Sequence, residues 1–507
     1  MRVKRGFYNI VFGILSQVIT IVLGMVLPKL LIVNFGSEMN GLLSSINQIF
    51  VYLGLFEAGV GATTLQALYK PITTEDHDEI NSILAATHRY YLRTGCLYAL
   101  AMVIFAVVYP FVTHSEIPWW YITVIILLVG TGNVINFLFQ AKFKLLLQAE
   151  GKGYVVTNIM TFTNVGINLG KIVLILLGYN IIFVQALHLI FNIVQMIIFE
   201  IYQRKHYGWI DLKVERNDAA IAQKNSALVH QLAALVFSNT DIIILTAFCG
   251  LKVVSVYTVY NMLFNVVLTG ISNVNAGVVF AMGQIYHEDR KKYEKIHDIF
   301  DMCYTGMGCV LFMTLYVMIL PFMSIYVGGV TDINYLDVKL PILFALMQCL
   351  SVARGGAGNL ISIAGHFKKT QNRAIAEMVI NLIVSLIAVS QFGIYGVLIG
   401  TIVALLYRTN DMILYSNRKI LKRSAATSYR TFLVNLGLCF VVIFASSRFT
   451  LQAQNYLQVF LQAVVCGMIV LVVFIAGNVL FNFKTVKSLQ EELYPLLQKL
   501  MGKIKRK

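Results

Sequence analysis

Charged side chains are scarce in this chain, since Asp, Glu, Lys and Arg make up 13% of its 507 residues while hydrophobic residues make up 58%. This shortage of charge, with a mean hydropathy of +0.74, excludes an ordinary soluble domain. No P-loop is present, so nothing in the sequence indicates ATP as the direct energy source. Loops between apolar runs are short and leave little room for a catalytic domain outside the bilayer. The composition predicts a polytopic membrane protein that is not an enzyme.

The cysteines lack the spacing of a metal site. There are seven, an odd number, and no two of them form a Cys-x-x-Cys pair. His88, His188 and His230 fall on different predicted helices, again without the spacing of metal ligands. We therefore predict that the cysteines are small buried hydrophobic residues, and we predict no disulfide framework, metal or cofactor.

Apolar runs long enough to cross a bilayer, which takes about 20 residues, occur fourteen times. These predicted transmembrane helices are 7–33, 41–68, 83–109, 119–141, 154–177, 181–202, 226–248, 253–282, 297–320, 339–362, 374–392, 395–415, 429–446 and 457–481. The first run continues to Val33 without a small-residue cleavage site, which predicts a retained helix and not a signal peptide. The expected fold class is an all-α integral membrane protein.

Basic residues predict the orientation. The segments on the side of the two termini contain 30 Lys and Arg residues, whereas the opposite loops contain only Lys252, Lys339 and Arg448. Because cytoplasmic loops carry an excess of Lys and Arg, both termini are expected in the cytoplasm. The expected location is the cell membrane. The basic tail 482–507 is expected to lie at the interface, against anionic lipid head groups.

The chain also repeats itself. GSEMNGLLSSINQIF at 36–50 aligns with GLKVVSVYTVYNMLF at 250–264, an offset of 214. Two further pairs align at nearly the same offset, namely 165–178 with 379–393 and 146–154 with 361–369. An even number of helices per copy preserves orientation, so the copies are expected to form two pseudo-symmetric six-helix lobes with substrate sites between them.

The repeat predicts four parts of the chain. An N-lobe of helices one to six covers 1–202, and a cytoplasmic linker covers 203–225. A C-lobe of helices seven to twelve covers 226–415, and 416–507 holds two appended helices and the basic tail. GxxxG at Gly396 and Gly400 is interpreted as a helix-packing motif.

Arg354 is the most informative single residue. It lies within LPILFALMQCLSVARGGAGNLISIAGHF, at 340–367, and is followed by Gly355, Gly356 and Gly358. A cation inside hydrocarbon costs about 2.5–3.5 kcal/mol on insertion scales, so it persists only where it faces protein or a wet cavity. The glycines allow close helix contact or a local helix break. We predict that Arg354 faces a polar cavity and contacts an anionic substrate; a purely structural ion pair is the alternative.

Three other cations share this interpretation, each with an alternative. Lys29 follows Pro28 in the first helix, and Lys171 lies one to two turns from polar residues in the fifth. Both are also compatible with lysines that extend to the lipid head groups. Arg93 lies one turn deeper in the third helix than Arg89, for which a head-group position is favoured. Lys29, Arg93, Lys171 and Arg354 are the candidate cations.

Glu57 and Asp241 are the candidate acids. Glu57 is flanked by small residues that allow close packing, and an unpaired carboxylate there would need a cation, a proton or a basic partner. Asp241 follows Lys29 at nearly the offset of the repeat, so the pseudo-symmetry predicts that the two have similar depth and either pair or act separately. Four other charged residues near inner helix ends are expected at the solvated interface, namely Asp301, Glu377, Arg408 and Asp411.

Several segments resemble those of Wzx-type polysaccharide flippases, of the multidrug/oligosaccharidyl-lipid/polysaccharide exporter superfamily. They are FGSEMNGLLSSINQIFVYLGLFEAGVG, SNTDIIIL followed by SVYTVYNMLFN, QAEGKGY and GIYGVLIGTIVA. The resemblance covers residues 1–480 and implies a two-lobed transporter that moves an undecaprenyl-pyrophosphate-linked oligosaccharide to the outer leaflet by alternating access. It implies a cation-lined cavity for the pyrophosphate and coupling to H⁺ or Na⁺. A polysaccharide polymerase and chain-length machinery are the implied protein partners, and no nucleic acid is implied.

Two alternatives remain at this stage. A multidrug or cation antiporter of the same superfamily would need an acid-lined pocket, whereas the deepest charge here is an arginine. A membrane polysaccharide polymerase, which belongs to another functional class, would need a sizeable loop outside the membrane. The glycan, the coupling ion and the oligomeric state are not determined by the sequence.

Overall fold

The computed structural model describes residues 2–57, 60–113, 115–221, 235–236, 239–449 and 451–504. Every described element of regular structure is helical. The α-helices are α1 (Arg2–Leu53), α2 (Val60–Thr74), α3 (His77–Val112), α4 (Trp119–Ile135), α5 (Ala141–Ala149), α6 (Gly153–Leu176), α7 (Ile181–His206), α8 (Asn239–Phe248), α9 (Leu251–Glu288), α10 (Arg290–Tyr326), α11 (Lys339–Ala353), α12 (Gly355–Ile363), α13 (Phe367–Phe392), α14 (Ile394–Tyr415), α15 (Ala426–Ser446), α16 (Tyr456–Phe481) and α17 (Phe483–Ile504).

Twelve helical segments among the described residues are long and apolar enough to cross a membrane. The expected all-α, multi-pass membrane architecture is therefore confirmed. The first two predicted helices meet within α1, where Gly36 has non-helical backbone angles (φ 83°, ψ 164°). The predicted helix at 226–248 lies outside the described residues except for 235–236 and α8. The count of fourteen stays a prediction.

The internal repeat is visible in the backbone. Three pairs of glycines at equivalent positions of the two copies have matching positive φ: Gly36 and Gly250 (83° and 81°), Gly151 and Gly365 (74° and 68°), and Gly178 and Gly393 (77° and 55°). Each pair lies in one of the three repeated segments. The sequence repeat therefore coincides with glycines of positive φ in both copies, although the turns at Gly178 and Gly393 differ, since Gly393 has a ψ of −129° and Gly178 is followed by a six-to-one hydrogen bond from Tyr179 to Leu174.

The turn in QAEGKGY shows how closely the copies agree. Gly151 ends α5 with a six-to-one hydrogen bond, in which the amide of Lys152 donates to the carbonyl of Leu147 at 2.8 Å. At the equivalent position of the second copy, the amide of His366 donates to the carbonyl of Ile361 at 3.0 Å. This pattern is the Schellman termination, in which a glycine adopts the left-handed conformation that other residues rarely take.

The chain divides into two compact units. Unit 1 comprises Met1–Thr258 with Val330–Ile333, and unit 2 comprises Val259–Gly329 with Asn334–Lys507. In unit 1, the two segments of the first repeated pair contact each other, since Asn40 Nδ2 donates to Ser255 Oγ at 2.7 Å and Ser44 Oγ donates to its equivalent, Thr258 Oγ1, at 3.5 Å. In unit 2, α13 and α14 adjoin at Gly393 and form a hairpin.

Close packing of α13 on α14 requires the GxxxG glycines. A Cβ atom on Gly396 would lie 2.3 Å from the backbone carbonyl carbon of Ala388, and one on Gly400 would lie 2.1 Å from Ser385 Oγ. No side chain larger than hydrogen fits at this spacing without moving the helices apart. The interpretation of this motif as a packing contact agrees with the geometry.

Candidate functional site

Arg354 lies at the break between α11 and α12. Helix α11 ends at Ala353 and α12 begins at Gly355. The amide of Gly358 donates to the Arg354 carbonyl at 2.9 Å. The glycines also permit close approach of α10, because a Cβ on Gly355 would lie 2.4 Å from Tyr304 and one on Gly356 would lie 2.4 Å from Asp301 Oδ1. The sequence therefore places Arg354 at a helix break that is packed tightly on a neighbouring helix.

The Arg354 side chain begins a chain of alternating charges within unit 2. Its Nη1 lies 2.5 Å from Glu377 Oε1, on α13. Glu377 Oε2 lies 3.3 Å from Nε of Arg408, on α14, and Arg408 Nη1 lies 2.8 Å from Asp411 Oδ2. Asp411 Oδ1 in turn accepts a hydrogen bond from Arg373. We call these five residues the ion-pair chain.

The ion-pair chain carries an excess of positive charge, because three guanidinium groups face two carboxylates. Its middle is buried: the side chains of Glu377, Arg408 and Asp411 are 5–10% exposed. Its ends are accessible, since the side chain of Arg354 is 23% exposed and that of Arg373 is 41% exposed. The arrangement can hold an arginine in place at either end and still present a guanidinium edge to an anion.

The expectation for the inner-end charges was wrong. Glu377, Arg408 and Asp301 are buried, and the side chain of Asp411 is only 10% exposed and contacts two arginines. The position of a residue along a helix predicts its depth in the membrane. It does not predict the direction in which the side chain points. Arg354 does form an ion pair, the alternative interpretation given above, and its partner is Glu377.

The equivalent positions in unit 1 are uncharged. Gln140 is the counterpart of Arg354 in the first copy, at the end of a π-helical turn (Asn136–Gln140) between α4 and α5. It accepts a 2.6 Å hydrogen bond from Gln195 Nε2, on α7, and α7 is the counterpart of α14, which carries Arg408. A helix irregularity therefore recurs in both copies, with a neutral glutamine in the first and an arginine in the second.

Lys171 is buried inside unit 1, where it is 9% exposed. Its Nζ donates a 2.9 Å hydrogen bond to Oε1 of Gln185, on α7. A neutral amide, and not a carboxylate, therefore holds the ammonium group. In this conformation Lys171 is a packing residue of the α6–α7 hairpin.

The other predicted cations are less enclosed. Lys29 is half-buried in α1. Arg93 is exposed on α3, on a face that also exposes Leu97, Leu100 and Ile104. Both belong to unit 1, whereas the ion-pair chain belongs to unit 2.

The structure describes the side chain of one of the two predicted acids, Asp241, but not that of the other, Glu57. Asp241 is buried on α8 and accepts a 2.7 Å hydrogen bond from the hydroxyl of Tyr257, on α9. The backbone of Glu57 ends a 3₁₀ turn (Gly54–Glu57), but its side chain lies outside the part of the chain that the structure describes. A Lys29–Asp241 pair stays a prediction.

Sequence reasoning missed two buried groups of residues. Lys142 is buried on α5, with its Nζ 3.1 Å from Nδ1 of His88, although its position had suggested a cytoplasmic loop. Cys309, Cys349 and Cys439 come together inside unit 2, with their sulfur atoms all within 4.8 Å of one another. Because these three cysteines are far apart along the chain, no motif search finds the second group.

Comparison with protein-family models and with curated proteins gives no match. Solved structures do match. The lipid II flippase MurJ in an inward closed conformation aligns with a TM-score of 0.67 at 16% identity, over 94% of this chain and all of that one. An inward-facing multidrug resistance MATE family transporter of the MOP superfamily aligns with a TM-score of 0.66 at 16% identity, over 80% of this chain and 95% of that one.

A third structure extends the same likeness. The MATE multidrug transporter DinF-BH, in complex with R6G, aligns with a TM-score of 0.59 at 14% identity, over 82% of this chain and 97% of that one. All three similar proteins are transporters or flippases. The likeness confirms the all-helical, multi-pass fold that the resemblance implied, since this chain is similar in fold to these transporters. The division into two six-helix lobes stays a prediction.

Proposed function

We propose that this chain is a Wzx-type flippase, which moves an undecaprenyl-pyrophosphate-linked oligosaccharide to the outer leaflet of a bacterial cytoplasmic membrane for the synthesis of a surface polysaccharide. The observation that carries the proposal is the ion-pair chain, whose excess positive charge lies among membrane-spanning helices. An anionic head group is the cargo that such a charge attracts. The fold likeness to a lipid II flippase supports the same class of cargo.

Glu377 makes substrate binding by Arg354 feasible. A guanidinium group that turns towards a phosphate would normally leave a buried carboxylate without a partner, which costs several kcal/mol. Here Glu377 keeps Arg408, 3.3 Å away, as a second cation. Arg354 can therefore exchange Glu377 for two phosphate oxygens, which a planar guanidinium holds with parallel hydrogen bonds.

The remaining predicted residues belong to the same proposal. Lys29 and Arg93 are proposed as further cations along the path, and Lys171 as one only where a change of conformation releases it from Gln185. Glu57 and Asp241 are proposed to couple transport to H⁺ or Na⁺. Both termini are proposed to be cytoplasmic, with a polymerase and chain-length machinery as partners.

A multidrug or cation antiporter is the second candidate function. The buried Asp241 favours it, because a cationic drug needs an acidic contact. Two of the similar structures are multidrug transporters. The ion-pair chain argues against an antiporter, because its three arginines outnumber its two carboxylates and would repel a cationic drug.

A transport assay separates the candidates. The purified protein would be reconstituted into vesicles with a fluorescent undecaprenyl-pyrophosphate-linked oligosaccharide, and transfer between leaflets measured by the accessibility of the label to a membrane-impermeant quencher. We expect wild type to transfer the lipid, and Arg354→Gln to lose the transfer. Arg448→Gln, which removes an exposed arginine outside the ion-pair chain, is the matched control and should retain wild-type activity.

Other outcomes have distinct meanings. Normal transfer by Arg354→Gln would remove this arginine from the mechanism. Absence of lipid transfer by wild type, with proton-driven efflux of a cationic dye from the same vesicles, would favour the antiporter. Formation of longer glycan chains would indicate a polymerase.

A further inference from the structure

Three cysteines converge in the interior of unit 2, from three different helices. Cys309 lies on α10, Cys349 on α11 and Cys439 on α15. All three are buried, at 2%, 3% and 0% exposure. The sulfur atoms of Cys349 and Cys439 are 3.8 Å apart, and all three sulfur atoms lie within 4.8 Å of one another.

This spacing is close to that of a three-sulfur metal site. Three sulfur atoms, each at about 2.3 Å from one ion and arranged in a plane around it, lie about 4 Å apart. The 3.8 Å separation of Cys349 and Cys439 is close to this value, and no separation in the group exceeds 4.8 Å. Small rotations about the cysteine side-chain bonds would therefore bring all three sulfur atoms to bonding distance. A small cavity of about 10 Å³ adjoins two of the three cysteines, Cys309 and Cys349.

We propose that Cys309, Cys349 and Cys439 form a binding site for a thiophilic d¹⁰ metal ion, of the class of Cu⁺ and Zn²⁺. Sulfur donors select such ions over Mg²⁺ or Ca²⁺, which prefer oxygen. Each coordinating thiol releases its proton as the metal–sulfur bond forms. Among the described residues, no other group of three His, Cys, Asp or Glu side chains has this geometry.

The ion would join parts of the chain that are distant in sequence. Cys439 belongs to the appended helices, whereas Cys309 and Cys349 belong to the second repeat. Cys349 lies in the last turns of α11, the helix that ends at Arg354, so a bound ion would fix the segment that carries the candidate site. The role is structural and does not depend on the cargo that the protein carries.

Simple packing is the competing explanation, since buried thiols fill space as small hydrophobic groups and form weak S–H···S contacts. Only the metal-site explanation predicts that these three cysteines bind a metal ion. A protein with Cys96, Cys249, Cys303 and Cys466 replaced by serine retains only the three clustered cysteines. It would be titrated with Cu⁺ against a chromophoric Cu⁺ chelator and, separately, with Zn²⁺ against a Zn²⁺ indicator.

We expect the three-cysteine protein to bind about one ion per chain, with sulfur neighbours in the X-ray absorption spectrum and a raised melting temperature. Each of Cys309→Ser, Cys349→Ser and Cys439→Ser should abolish this stoichiometric binding. The two titrations identify which ion is bound. Binding of both metals no tighter than that of a cysteine-free protein would overturn the proposal.

A second measurement uses the unmodified protein, in case the multiple replacements prevent folding. Wild type would be treated with an alkylating reagent under mild denaturation, with and without Cu⁺ or Zn²⁺, and the modified cysteines identified by mass spectrometry. Protection of all three clustered cysteines together, with Cys96 and Cys303 unprotected, is expected. Equal modification with and without both metals would contradict the site.

Discussion

At the level of single residues, Arg354 has two separable properties, its contribution to stability and its position as a cation. Its ion pair with Glu377 holds two helices together, yet the position of the positive charge decides what an anion can reach. Exchange of the two residues, Arg354→Glu with Glu377→Arg, preserves an opposite-charge pair but moves the guanidinium from the helix break to α13. We expect the double variant to recover much of the melting temperature lost by either single variant, without recovering lipid transfer.

The single variants provide the controls for this exchange. Arg354→Glu places a second carboxylate beside Glu377, and Glu377→Arg adds a cation between Arg354 and Arg408. Disruption of a buried ion pair typically costs about 3–5 kcal/mol, so both should lower the melting temperature in detergent. Recovery of transport by the double variant would show that the pair matters only for structure.

The sequence predicts that Arg354 lies deep within an apolar helix, but it does not predict which residues Arg354 contacts. Arg354 was identified because an arginine inside a long apolar run is costly, whichever side it faces. Its partner Glu377 belongs to the next predicted helix and Arg408 to the one after that, and their meeting depends on how α13 and α14 pack. For the same reason the clustered cysteines resembled ordinary hydrophobic residues.

At the level of helices, the α13–α14 hairpin depends on the absence of a side chain at Gly396. Alanine normally favours a helix over glycine by about 1 kcal/mol. At Gly396, however, the new Cβ would meet the backbone of Ala388 at 2.3 Å, which forces the helices apart. Overpacking of this kind typically costs about 1–3 kcal/mol, so Gly396→Ala should lower the melting temperature.

Gly437 provides the matched comparison for Gly396. It lies within α15, and a Cβ there would meet no atom within 4 Å. Gly437→Ala should therefore leave the melting temperature unchanged or raise it. Equal effects of the two substitutions would mean that helix propensity, and not backbone contact, governs both positions.

At the level of the whole molecule, the sequence repeat predicted matching turns, and three pairs of positive-φ glycines match. The repeat did not predict that charge would differ between the copies. Gln140 occupies the position equivalent to Arg354 and bonds Gln195 on α7, whereas Arg354 pairs with Glu377 on α13. The helix irregularity is thus shared by the two copies, while the side-chain contacts at it differ.

The topology of the whole chain depends on the segment 226–248. The positive-inside distribution, 30 basic residues against three, predicts a membrane crossing between Lys213 and Gly250. Truncated chains fused to alkaline phosphatase or to green fluorescent protein test this, because the first reporter is active only outside the cytoplasm and the second fluoresces only within it. We expect fluorescence from fusions after Lys213 and phosphatase activity from fusions after Gly250. The same reporter active at both positions would show that no crossing occurs there, and the count of fourteen helices with both termini in the cytoplasm would fail.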